Sequence, residues 1–401
     1  QVTLTEVINR LMRKNLIVKG ERSQLHCHFL MLEEATRRSV KGGHFEAMAQ
    51  SVQKKRRTAA LGHSLYFGSY NQTLSELRIA FHRGDMLRVK QILSAGERFY
   101  PREFVQYPPW LLVFNNPLCP DEVWTLPDDL ISEALTTLFT AATRNLKPAP
   151  ETIALAERLL AANRCADITR YYLAEQALLR GDPVKARAYL APGDSDYDQA
   201  LRGWLAFLDG ADEQSIQHYE NALKLLRKRT GKRKIYFNHL AGVFFILALL
   251  ARNTPAHLHQ ALEVTAPLFD RTAVYPYLIT HGVLRQVVEI QQGQRERLDP
   301  FDANPPIPPV DGFFQLLAMF WVHASKAEPL REPATVLLNT ARENGYAWFV
   351  AELTGLLRSL DGDWEMESRC RVLTRLFRLK EPWEHALSAL LDLSPVSYTH
   401  L

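Results

Sequence analysis

The sequence predicts an all-α fold of stacked antiparallel helix pairs. Three observations carry that prediction. From Met31 onward apolar residues recur at three-to-four spacing, the period of a helix with one buried stripe. Short corners of the form Gly-Asp, as at Gly84-Asp85 and Gly181-Asp182, separate those stripes. The most apolar stretch, residues 240–250, is too short to span a bilayer, which takes about 20 residues, so it is expected to be a buried core helix.

Taken in order, residues 5–15 place Val7, Ile8, Leu11 and Met12 on one helical stripe. Residues 16–20 are rich in β-branched side chains, Glu21-Arg22-Ser23 is a polar turn, and residues 25–30 alternate apolar and polar at period two. Helix, strand, turn, strand is how a winged helix ends, so residues 1–30 are expected to be a partial winged helix. An isolated hairpin capping a helical domain is the other reading. Helical stripes then cover 31–40, 45–52, 74–81 and 86–93. Prolines 101, 108, 109, 117, 120 and 127 rule out a long helix between Tyr100 and Pro127, and Trp110 and Trp124 predict a packed connection there. The region 31–127 is therefore expected to be helical with a Pro/Trp-rich connection.

Residues 128–297 are more regular. Stripes at 130–143 and 153–162 lead to three helix pairs that turn at Arg180-Gly181-Asp182, at Asp209-Gly210-Ala211-Asp212 and at Arg252-Asn253-Thr254-Pro255. Glycine takes the left-handed conformation that ends one helix. Asp just after it can accept from the free N–H groups that open the next. One such pair cannot bury its apolar faces alone, so pairs stack. Gly203-Trp204-Leu205-x-Phe207 up to Gly210, followed by Ile216, Tyr219, Ala222 and Leu223, resembles a tetratricopeptide repeat. The glycine corners are unevenly spaced, which makes these degenerate repeats of a tetratricopeptide-like α-solenoid, with a generic helical bundle as the alternative. A Pro-rich linker is expected at 298–310. Further helical repeats follow at 311–395, with a corner at Asp361-Gly362-Asp363 and a return helix over 364–377. Residues 396–401 resemble a translated sequencing-adapter tail and are excluded from the fold prediction, an ordinary frayed end being the alternative. The chain opens on Gln1, already inside a helical pattern, and is expected to be a piece of a longer protein.

Composition sets wide bounds. The 401 residues are 47% hydrophobic and 23% charged, with a formal net charge of +4, which suits a folded protein with a real core and permits an acidic partner. The four cysteines, at 27, 119, 165 and 370, lie far apart without a CxxC pair, which argues against a zinc ribbon or disulfide framework and makes a cytoplasmic location the expectation. No basic head followed by an apolar stretch opens the chain, and no membrane partner is expected.

Motifs for chemistry are missing. Thr230-Gly231-Lys232-Arg233 lacks the earlier glycine and the hydroxyl of a phosphate-binding loop. His26 and His28 share a strand face beside Cys27, but no second ligand pair stands at a zinc spacing. His257 and His259 are two apart on a helix and do not share a face. No GxGxxG or GxSxG occurs. No catalytic, metal or cofactor-binding residue is assigned.

Two basic clusters stand out. Lys54-Lys55-Arg56-Arg57 ends a helical stripe, where cations suit the helix dipole. The stronger one runs from Arg227 to Lys234, with Arg227, Lys228, Arg229, Lys232, Arg233 and Lys234 as candidate nucleic-acid contacts. Such a run can neutralise phosphates; a solvated loop is the plain alternative. Tyr236 and Phe237 could stack on bases or belong to the core.

One resemblance draws these features together. The partial winged helix, Leu77-Arg78-Ile79-Ala80-Phe81-x-Arg83-Gly84-Asp85, the repeat-like pair at 203–223, the segment 225–234 and Trp383-Glu384-x-x-Leu387-x-x-Leu390 together resemble the N-terminal accessory region of bacterial Swi/Snf-type DEAD/DEAH-box helicase-like ATPases. The resemblance implies a parent protein that uses ATP and Mg while engaging double-stranded DNA. This segment would be its non-catalytic docking arm, its partner being the parent's own motor domain, another protein or the DNA. Two further readings remain: a tetratricopeptide effector-binding arm of a signal-transducing ATPase regulator, and a stand-alone protein-binding adaptor.

Overall fold

The computed structural model describes residues 4–14, 17–19, 25–27, 29–44, 47, 69–112, 123–191, 193–237, 239–269, 275–299, 307–322 and 328–360. The chain divides into two compact units, Gln1–Leu130 and Ile131–Leu401. The turn expected at 21–23, most of the stripe at 45–52, the basic cluster 54–57 and everything expected beyond 360 lie outside the described residues.

In the first unit, helix α1 (Leu4–Arg13) leads into strands β1 (Ile17–Lys19) and β2 (Leu25–Cys27), then α2 (Phe29–Lys41). The strands pair antiparallel, with Val18 opposite His26, which gives the expected hairpin. Helices α3 (Tyr70–His82) and α4 (Met86–Phe99) form a pair closed by Leu77, Val89 and Ile92. Among its described residues, the proline-rich stretch carries the short α5 (Pro101–Gln106) and α6 (Pro109–Leu112), and Trp110 is buried there.

The second unit holds α7 (Asp128–Arg144, entering from the first unit's last residues), α8 (Pro150–Ala161), α9 (Ala166–Leu179), α10 (Pro183–Leu190), α11 (Asp196–Leu208), α12 (Asp212–Thr230), α13 (Leu240–Arg252), α14 (Pro255–Phe269), α15 (Leu278–Gln291), α16 (Pro309–Val322), α17 (Arg331–Glu343) and α18 (Ala347–Leu360). Successive pairs α9/α10, α11/α12, α13/α14, α15/α16 and α17/α18 pack together, and α11 and α15 also pack on α13. The architecture is the all-α array of stacked helix pairs that the sequence predicts. Among the described residues, no strand follows the hairpin, and no helix is long and apolar enough to cross a membrane.

The corners form largely as expected. Gly84, Gly181 and Gly210 have φ of 70°, 82° and 87°, and the next N–H in each returns to the carbonyl five residues back. Asp85 accepts from Arg88 N at 3.0 Å, and Asp182 from Lys185 N at 2.8 Å. At the third corner the inserted Ala211 takes the cap position, so Asp212 starts α12 and no side-chain cap forms. There Asp212 and Glu213 favour the positive end of the helix dipole instead. Asn253, at φ 47°, replaces glycine before α14, and Thr254 Oγ1 accepts from His257 N at 3.3 Å.

Helix α13 is the centre of this unit. Every residue from Leu240 to Ala251 is buried, as a helix apolar on all faces requires. Trp204 of α11 stacks on Phe244 with ring centroids 4.0 Å apart, and Tyr219 of α12 stacks on Phe245 at 4.6 Å. Tyr219 also lies against the backbone of α11, where a Cβ on Gly203 would fall 2.7 Å from its ring. A buried ring wedged between two helices has nowhere to move. Gly203→Ala should therefore lower the unfolding free energy by about 2 kcal/mol through overpacking, read as a lower urea midpoint. A midpoint equal to the parent's would show that the Tyr219 contact can relax.

Candidate nucleic-acid interface

The basic run occupies the last turn of α12 and the segment that follows it. Gly231 closes the helix in the left-handed conformation, at φ 65°. All of residues 227–234 are exposed, so Arg227, Lys228, Lys232, Arg233 and Lys234 lie on one continuous surface segment. Immediately afterwards Ile235 is buried, Tyr236 packs edge-on against Tyr275 with centroids 5.2 Å apart, and Phe237 lies 6.2 Å from Tyr219. These two rings pack against the protein, just ahead of α13, where their expected alternative roles were base stacking or core.

Arg229 differs from its neighbours. Its Nε donates to Asp196 Oδ1 at 2.9 Å and its Nη2 to Oδ2 at 2.8 Å, a two-pronged ion pair with the first residue of α11. Its guanidinium lies 5.1 Å from the Tyr197 ring centroid. Asp196 is nearly buried. The start of α11 is thereby an acidic hub. Ser195 and Asp198 form a capping box, with Ser195 N donating to Asp198 Oδ2 at 2.9 Å. Asp198, fully buried, also meets Arg170 of α9 at 3.4 Å. The sequence carries the signal for this hub in Ser195-Asp196-Tyr197-Asp198, a capping pattern that the expected helix start at Gly203 passes over.

A cleft of about 290 Å³ lies between α10, α11 and α12. Its polar groups serve the helix corners. Arg202 Nη2 donates to the carbonyls of Leu190 and Gly193 at 2.9 and 2.5 Å, which satisfies the open end of α10. Arg187 donates to Asp209 at 2.6 Å. His218 shares a hydrogen with Gln199 at 2.8 Å, and burial, then Arg202, lowers its pKa.

A third polar region is wholly interior and was not expected from the sequence. Arg144 Nη2 of α7 donates to Asp311 Oδ2 of α16 at 2.7 Å, and Thr280 Oγ1 of α15 donates to Asp311 Oδ1 at 2.5 Å. Beside it on α9, Glu175 accepts from Tyr171 OH at 3.0 Å and from Thr143 Oγ1 at 3.4 Å, while Gln176 Nε2 donates to Thr143 at 2.9 Å. Tyr346 OH donates to Lys147 O at 2.8 Å. Among the described residues, no three His, Cys, Asp or Glu side chains cluster as a metal set. Comparison with family models, curated proteins and solved structures finds no match to this chain.

The Glu175 carboxyl is bonded by neutral hydroxyls, and burial raises its pKa to about 7 from 4.5. Below the unfolded value both states are protonated and nothing is lost. Between 4.5 and 7 the unfolded chain ionises while the folded chain keeps its proton, so stability falls as pH rises. Above 7 the full cost, about 3 kcal/mol, is present. Burial acts on His239 and His281 in the opposite sense: it lowers both to about 4 from 6.5, so their contribution is lost as pH falls through that window. The difference between parent and Glu175→Gln isolates the carboxyl. The variant should gain about 2 kcal/mol on the parent between pH 5 and pH 8, measured by urea unfolding. Parallel pH profiles for the two proteins would rule out a buried protonated acid at this position.

Proposed function

We propose that this chain is a non-catalytic helical docking scaffold, the accessory region of a DNA-dependent, helicase-like ATPase, and that its basic segment meets the backbone of double-stranded DNA. The observation that carries the reading is the exposed segment 227–234, which presents Arg227, Lys228, Lys232, Arg233 and Lys234 together at the end of a helix fixed into a packed array. Clustered cations on a rigid support suit phosphate contact without sequence readout. On this reading ATP and Mg belong to the motor region of the parent protein, and that motor is the second partner.

Binding to a short DNA duplex, followed by fluorescence anisotropy between 50 and 200 mM NaCl, tests it. Each phosphate contact contributes about −0.9 to the slope of log K against log salt on B-DNA. Changing Arg227, Lys228, Lys232 and Arg233 together to Gln should flatten that slope by about three to four units and weaken binding by more than tenfold at 50 mM. An identical slope in parent and variant would remove the segment from the interface. Absence of any DNA retention would favour the protein-binding adaptor in place of the accessory region.

A further inference from the structure

Six basic residues in eight make the segment look like a uniform polycation, yet their surroundings are not uniform. Arg229 spends two guanidinium donors on the nearly buried carboxylate of Asp196, and its flat face covers Tyr197. Tyr197 in turn stands 6.0 Å from the His239 ring and 5.5 Å from Tyr171, so the ion pair rests on an aromatic cluster joining α9, α11 and the entry to α13. Asp196 opens α11 inside a capping box, where the backbone is already fixed. On the far side of the segment, Ile235 and Phe237 anchor the chain again. Residues 230–234 are thus a short span held at both ends.

We infer that Arg229 is a positioning residue of the DNA-contacting segment: with Asp196 and Tyr197 it clamps the end of α12, so that Arg227, Lys228, Lys232 and Arg233 face a phosphate backbone while Arg229 itself does not. The inference rests on the DNA-binding reading above for its consequence, but the clamp is a property of the fold. Drawing Arg229 to a phosphate would strand Asp196, a carboxylate with little access to water. Four neighbouring cations can meet the same phosphates without that cost.

Lysine separates the two roles. A phosphate contact needs a positive charge and tolerates Lys, whereas a two-pronged pair stacked on an aromatic ring does not. Under the clamp, Arg229→Lys and Asp196→Asn each weaken duplex binding several-fold and by similar factors, with the salt slope unchanged. Lys232→Gln instead lowers the slope by about 0.9. Parent-like binding by Arg229→Lys, tighter binding by Asp196→Asn, or a slope change in Arg229→Gln equal to that of Lys232→Gln would overturn the inference. If the parent retains no DNA, the DNA reading fails by itself, and the clamp is judged from urea midpoints of the two single variants and the double variant. Non-additive midpoints sustain the clamp, and additive ones remove it.

Discussion

A helix without a solvent face imposes its surroundings. Residues 240–251 leave no polar stripe to turn outward, so α13 must be covered on all sides. The cover comes from several pairs at once: Trp204 and Tyr219 from α11 and α12, Phe314 from α16, 6.4 Å from Phe244, and Trp348 from α18, 5.3 Å away. Elements far apart in sequence are thereby drawn around one axis. The stacking that a pairwise array would achieve only between neighbours becomes a common core.

Covering one helix with several others brings their ends close together, and helix ends carry unpaired backbone groups. In the second unit these ends are joined by charge. Ser195 and Asp198 close the start of α11, Arg202 closes the end of α10, and Asp196 and Asp198 receive arginines from α12 and α9. The interior pair Arg144–Asp311 repeats the arrangement between α7 and α16, with Thr280 saturating the second carboxylate oxygen. A buried pair of this kind adds little net stability, but removing one partner leaves an uncompensated charge, so it fixes which helices meet.

Local chemistry was legible in the sequence and long-range pairing was not. The corners at Gly84-Asp85 and Gly181-Asp182 formed as the residue types require, because glycine and aspartate act there through their own backbone and the next turn. One inserted residue, Ala211, was enough to move Asp212 off the cap position, a shift of register too fine for pattern reading. The apolar run at 240–250 announced a buried helix directly. Helix α11 starts at 196, ahead of the repeat-like pair read from 203, since its first turn is polar and the apolar stripe begins further on. Nothing within one sequence connects Arg144 to Asp311, 167 positions away, or distinguishes Glu175 from a surface acid.

The same limit governs the basic segment. Sequence counts charge, but a surface presents only the charge that its partners leave available. At 227–234 the count is six, and Arg229 is spent on Asp196 at the start of α11. That carboxylate is held in place by the turn that caps α11, and α11 is held by Trp204 against Phe244. The electrostatics of the exposed segment are therefore set by the apolar core beneath it. A polycation on a floppy tail would spread its charges along any backbone, whereas one clamped between Arg229 and Ile235 offers a fixed spacing of cations. For the proposed contact with a phosphate backbone, fixed spacing would lower the entropy lost on binding, the general benefit of preorganisation.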